Sequence, residues 1–261
     1  MTIEQHMPLM RRCRMLALCI CATLILTACA SSQRRLTSPI YTLHSPYPQD
    51  VVIAVAPLAN ESGTSAADEL RMADRLAEQL AEVDGIGVIP LNRTLDAMQA
   101  LRLPAVTSPA EAHALARMLG ADAILVGSIT AWDPYDPPRL GLNLALFGTG
   151  LALAAPGSAE VDPRALQSAS TDYSLNAAPS PSTPLASLSN HYDASNHALL
   201  MHVRDYATGR ADPQSALNWQ RYIKSMELYE RFVSFRAVDE LLASEQRRIA
   251  LANTGVQTAA R

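Results

Sequence analysis

Between Val51 and Thr130 the hydrophobic pattern alternates between strand and helix periods with only short joints, which restricts the chain to a sheet covered by helices. Val51 opens VVIAVAPLAN, a β-branched apolar run that favours extended backbone until Pro57 interrupts pairing. A helix is predicted over 66–83. Leu70, Ala73, Leu76, Leu80 and Val83 form its apolar stripe, and Glu69, Arg71, Asp74, Arg75, Glu78 and Glu82 occupy the other faces. Asp84-Gly85 ends it, and Ile86–Leu91 reads as a second strand. A short helix follows from Asn92 or Thr94 toward Leu101. After the break at 104–109, Ser108, Pro109 and Glu111 form a capping-box signature. Ala112, Leu115, Ala116 and Leu119 give that helix its apolar face, Gly120 its stop, and 121–130 the third strand. The expectation is an α/β sandwich on a mixed sheet.

Downstream, Leu140, Leu142, Leu144 and Leu146 alternate with Gly141, Asn143 and Ala145, and Gly148-Thr149-Gly150 leads to a further short strand at Leu151–Ala154. Two edge strands in a hairpin are the default. Nine alternating residues also suit a barrel strand facing lipid. Residues 156–188 are rich in Ala, Ser and Pro, the composition of an excursion or linker. A helix is predicted over 194–206, and another over 215–251 whose stripe includes Trp219, Tyr222, Ile223, Met226, Tyr229 and Val233; a bend can divide so long a segment. The chain thus divides into 1–28, 29–49, 50–155, 156–190 and a helical 191–261.

The start of the chain carries an address. Arg11, Arg12 and Arg14 precede an apolar run from Met15 to Leu26, short for a bilayer-spanning helix but suited to a signal peptide. Leu26-Thr27-Ala28-Cys29 resembles the lipobox of bacterial lipoproteins, which implies acylation of Cys29, with residues 29–49 as a tether. More than one acyl chain makes such an anchor stable, since each buried methylene contributes about 0.8 kcal/mol. Ala30 is not the aspartate that retains such lipoproteins in the inner membrane, so the resemblance implies the outer membrane and a domain facing the periplasm. Cys13, Cys19, Cys21 and Cys29 are the four cysteines, so nothing after Cys29 can form a disulfide, act as a thiol nucleophile or ligate metal through sulfur.

Ile53–Gly63 (IAVAPLANESG), then ADELRMADRLAEQL, GVIPLNRTLDAM and ALARMLGADAILVGSIT, resemble a group of bacterial envelope lipoproteins. That group includes the curli-secretion lipoprotein and the outer-membrane activator of penicillin-binding proteins. The resemblance spans Ile53–Thr130 and implies an anticodon-binding-like α/β fold. Pro90 and Leu91 depart from the pattern, and the region after Asp136 has no match to the membrane strands of the curli-secretion pore.

Chemistry is hard to find in the residues. A formal charge of −4 with a single lysine, Lys224, gives no footprint for nucleic acid. His44, His113, His191, His197 and His202 lack metal-ligand spacing, and HExxH, GxSxG, GxxxxGK[ST] and GxGxxG are absent. No catalytic, cofactor or metal residue is expected. Trp132 and Tyr135, among prolines, are candidates for a partner surface; Trp219, Tyr222 and Tyr229 are a second set, with packing in the core the default for both. The preferred reading is a non-enzymatic binding or regulatory component of envelope assembly, secretion or peptidoglycan synthesis, with an envelope protein as partner and self-association left open. A curli-type secretion pore and an envelope hydrolase with spatially gathered Ser, His and Asp are the alternatives.

Overall fold

The computed structural model describes residues 42–149, 153, 183–212 and 214–259, with side chains to 253, all within the compact unit Pro39–Arg261. The signal peptide, Cys29, the tether up to 41 and, apart from Leu153, the strand expected at Leu151–Ala154 lie outside the described residues. So does the linker up to 182.

The elements are β1 (Val51–Val55), β2 (Ala59–Asn60), α1 (Glu69–Ala81), β3 (Ile86–Ile89), α2 (Leu91–Ala100) and α3 (Pro109–Leu119). They continue with β4 (Ala123–Asp133), β5 (Arg139–Gly148), β6 (Ala186–Asp193), α4 (His197–Ala207), a 3-10 turn (Asn218–Gln220), α5 (Arg221–Lys224) and α6 (Met226–Ala259). The sheet order is β3-β1-β4-β5-β6, with β2 continuing alongside β4 beyond β1. β1 is parallel to β3 and β4, whereas β5 is antiparallel to both β4 and β6. The sheet is therefore mixed.

Strand alternation distributes the core between two layers. Val51, Ile53 and Val55 of β1, Leu125 and Ile129 of β4, and Tyr192 of β6 join α1, α4 and α6 on one face. Ala54, Ile124 and Phe147 meet α2 and α3 on the other. The leucine row of β5 belongs to the first layer, with Leu140, Leu142, Leu144 and Leu146 all at most 1% exposed. This overturns the edge-hairpin expectation: β5 lies inside the sheet, paired with β4 through the Pro134–Pro138 turn. It also removes the arrangement in which that row faces lipid.

β6 was hidden by composition. Ala186, Leu188 and Tyr192 point into the core while Ser187, Ser189 and His191 face out, so a strand with a polar outer row reads as the end of an Ala/Ser/Pro-rich linker and spans the expected boundary at 190/191.

Local signals set the helix ends. Ser108 Oγ accepts the Glu111 N–H at 3.3 Å while Glu111 Oε2 accepts the Ser108 N–H at 3.0 Å, and Gly120 closes α3 in the left-handed region at φ 68°. Asp68 caps α1 by accepting the Arg71 N–H at 2.9 Å. Within α1, Met72 takes a buried position that the stripe assigned to Leu70, which is 45% exposed. The long C-terminal helical segment is divided at Ser225, whose extended backbone (φ −129°, ψ 117°) ends α5. The Ser225 carbonyl then accepts the Tyr229 N–H at 2.9 Å to start α6. From Tyr229 to Leu242 α6 is buried on nearly every side because it is wedged between the sheet, α1 and α4. Among the described residues, no helix is long and apolar enough to cross a membrane.

Candidate interaction surface

β1 ends beside Leu125, but β4 continues to Asp133, a further ~26 Å at the usual rise of an extended strand. That overhang carries the Pro134–Pro138 turn to the end of the sheet opposite the point where residues 42–50 join. There, Ser45 N–H donates to the Asp84 carbonyl at 2.9 Å, just before the amino ends of β1 and β3. At the tip, Tyr135 is 80% exposed, and its N–H donates to Asp133 Oδ1 at 3.1 Å. Lys224 pairs with Asp136, and Arg139 Nε pairs with Asp193 Oδ2 at 3.2 Å, so both sides of the turn are fastened to neighbouring elements.

Trp132 is held from beneath. Its Nε1–H donates to Glu230 Oε1 at 3.1 Å, and Arg71 grips the same carboxylate through Nε and Nη2, each at 3.2 Å. Glu230 is 2% exposed, and three donors compensate its burial by tying β4, α1 and α6 together. Trp219 is half-buried against the main core. Tyr222 packs edge-on against Tyr206 at 5.4 Å, and Tyr229 is 0% exposed beside Phe232. Tyr222 and Tyr229 are thus core residues and cannot form the second partner surface, because their helices turn the aromatic stripe inward. Burial pushes the Tyr206 hydroxyl up to about 12. Leu217, 48% exposed, carries no periodic signal that would have singled it out.

Two further carboxylates of α6, the partly buried Glu240 and the buried Glu245, are also occupied. Glu240 accepts from Tyr192 Oη at 3.1 Å and Asn190 Nδ2 at 3.0 Å and pairs with Arg236, while Glu245 is chelated by Arg248 at 2.6 and 2.7 Å. Glu240 thereby ties α6 to β6, whereas Glu245 is paired within α6, from which Arg248 Nη2 also donates to the Leu153 carbonyl at 3.0 Å. His44 places Nδ1 3.3 Å from Asp84 Oδ2 and Nε2 3.3 Å from Thr42 Oγ1, a hydroxyl–imidazole–carboxylate order across a sequence gap that hid it. His44 and Asp84 side chains are 67% and 77% exposed, so water surrounds the array where a preorganised site would exclude it. His113 stacks edge-on against Phe147 at 5.8 Å. Among the described residues no group of three or more His, Cys, Asp or Glu is placed to hold a metal ion.

Two cavities open on the side of α2 and α3. One of about 470 Å³ lies between the loop after β1, the start of α1 and the α2 helix; the other, about 390 Å³, lies over β4 and β5 beside the start of α3. Both are lined by Ala59 and Val106.

No protein-family model matches the chain, and no curated protein sequence does. Among solved structures, the LpoB C-terminal domain from Salmonella enterica is 19% identical over 40% of this chain and 76% of that one, with a TM-score of 0.34. A lipoprotein from Neisseria meningitidis is 17% identical over 59% of this chain and 92% of that one, at 0.38. The PelC dodecamer from Paraburkholderia phytofirmans is 18% identical over 42% and 69%, at 0.28. Likeness at this level carries no function from those proteins to this chain.

Proposed function

We propose that the chain is an outer-membrane lipoprotein, acylated at Cys29, whose α/β domain is a non-enzymatic binding component of envelope assembly, secretion or peptidoglycan synthesis. The observation that carries this reading is the polarity of the domain. The chain joins the sheet at the amino ends of β1 and β3, and the exposed Tyr135 stands at the far end of the β4–β5 overhang. A tether attached at one end would present that tip away from the lipid surface. Tyr135 suits a contact residue because it offers a large amphipathic surface with few rotatable bonds, and its turn is already held by Asp136–Lys224 and Arg139–Asp193. The occupied buried carboxylates and the solvent-exposed His44 pair favour binding over turnover.

The test is site-specific photo-crosslinking from position 135 in intact cells, with position 201, the exposed Met201 of α4, as the control. A reproducible envelope-protein adduct from 135 and not from 201 supports the reading. Equal labelling from both positions, or none from 135, contradicts it.

A further inference from the structure

We propose that the crevice at the carboxyl end of β1 is a docking groove for a cationic amphipathic segment of a protein partner. This rests on the reading of the chain as a binding component and names the kind of segment it takes. β1 and β3 are adjacent and parallel, but the helix after β1 covers one face of the sheet and the helices after β3 cover the other. Connections that part in this way leave an opening beyond the strand ends, the place where open α/β sheets bind ligands. The 470 Å³ cavity sits there, formed by Pro57–Ala59, Glu69, Leu70 and one side of α2.

Its walls are apolar and partly uncovered. Leu70 and Leu95 are 45% and 37% exposed, large side chains left wet while Met98 between the helices is 5% exposed. The neighbouring 390 Å³ cavity shares Ala59 and Val106 with the first, so the two hollows adjoin and suit successive apolar side chains of one segment rather than a single compact ligand. The charge is one-sided: Glu69 lines the first hollow and Glu61 the second, and no Lys, Arg or His among the described residues lines either. Both glutamates are exposed. The helix starts nearby do not reverse that sign, because Asp68 caps α1 and Ser108 with Glu111 caps α3. The apolar first hollow, a second that sets Val126, Leu144 and Phe147 among Ser128 and Asn143, and the acidic rim together complement Leu-sized side chains flanked by Lys or Arg and repel an acidic counterpart.

The test uses the full-length chain in zwitterionic lipid nanodiscs, with empty discs as the blank, and three fluorescent 14-residue peptides: Leu/Lys amphipathic, Leu/Glu amphipathic and Ser/Lys. The Leu/Lys peptide is expected to bind saturably and about tenfold more tightly than the other two. L70S/L95S should weaken it about tenfold, and E61K/E69K should shift the preference to the Leu/Glu peptide. The exposure of all four positions leaves the fold intact, which circular dichroism checks. Equal binding of the Leu/Lys and Ser/Lys peptides, or unchanged binding by both double variants, overturns the groove. Failure here with a persistent crosslink from position 135 removes the groove alone, whereas loss of that crosslink with peptide binding retained removes the tip and leaves the groove.

Discussion

The two faces of the sheet are covered in contrasting ways. On one, α1, α4 and α6 bury Tyr192, Tyr229, Phe232, Met72 and the leucine row of β5, and Glu230, Glu240 and Glu245 bind their partners within or at the edge of that layer. On the other, α2 and α3 contribute mainly alanines, Ala97, Ala112 and Ala116, with Met98 and Leu115 as the larger members. Small side chains let two short helices sit close to β1 and β4 but cover β5 only near Phe147, and the cavities lie along that thinner layer. Stability is concentrated on the first face, and the apolar surface left for a partner lies along the second.

Substitutions should grade accordingly. Phe232→Ala removes a 1% exposed ring from the thick layer and should cost about 3–5 kcal/mol in denaturant unfolding; a loss under about 1 would erase the contrast. Met98→Ala, in the thin layer, should cost about 2 kcal/mol, the lower end for such truncations, because the adjoining crevice lets the site relax. Ser108→Ala removes the α3 cap and should cost about 1 kcal/mol. Glu111→Gln should give a pH-dependent loss. Hydrogen bonds from Thr107 and Ser108 hold the Glu111 carboxyl below its ordinary 4.5, so its contribution is full above that value and is lost as pH falls through the lowered one. Wild type and variant should therefore converge in acid unfolding, and a gap that widens toward low pH would contradict the capping account. Leu95→Ser, on the groove, should change stability by no more than about 0.5 kcal/mol.

Legibility in the sequence follows the same division. Strands β1, β3 and β4 and the helices between them were readable because period, caps and breakers agree: Ser108, Glu111 and Gly120 each do in the fold what their spacing announces. β6 was not readable, since Ser187, Ser189 and His191 give its outer row the texture of a loop and its pairing with β5 spans a long sequence separation. The position of β5 inside the sheet depended on finding β6. At the surface, Tyr135 was identifiable from its proline-rich turn, whereas Tyr222 and Tyr229 looked equivalent to it until helix packing turned them inward. The groove was illegible because Leu70 fits the apolar stripe of α1 as well as Met72 fits its buried face; only the cavity that Leu70 lines with α2 separates them.

The central claim is tested most directly by intact and peptide mass spectrometry of the protein extracted from envelopes of a Gram-negative host. A chain that begins at Cys29 with a diacylglyceryl thioether and an acylated amine is the predicted result. A chain that retains residues 1–28, or begins elsewhere with an unmodified Cys29, would contradict it.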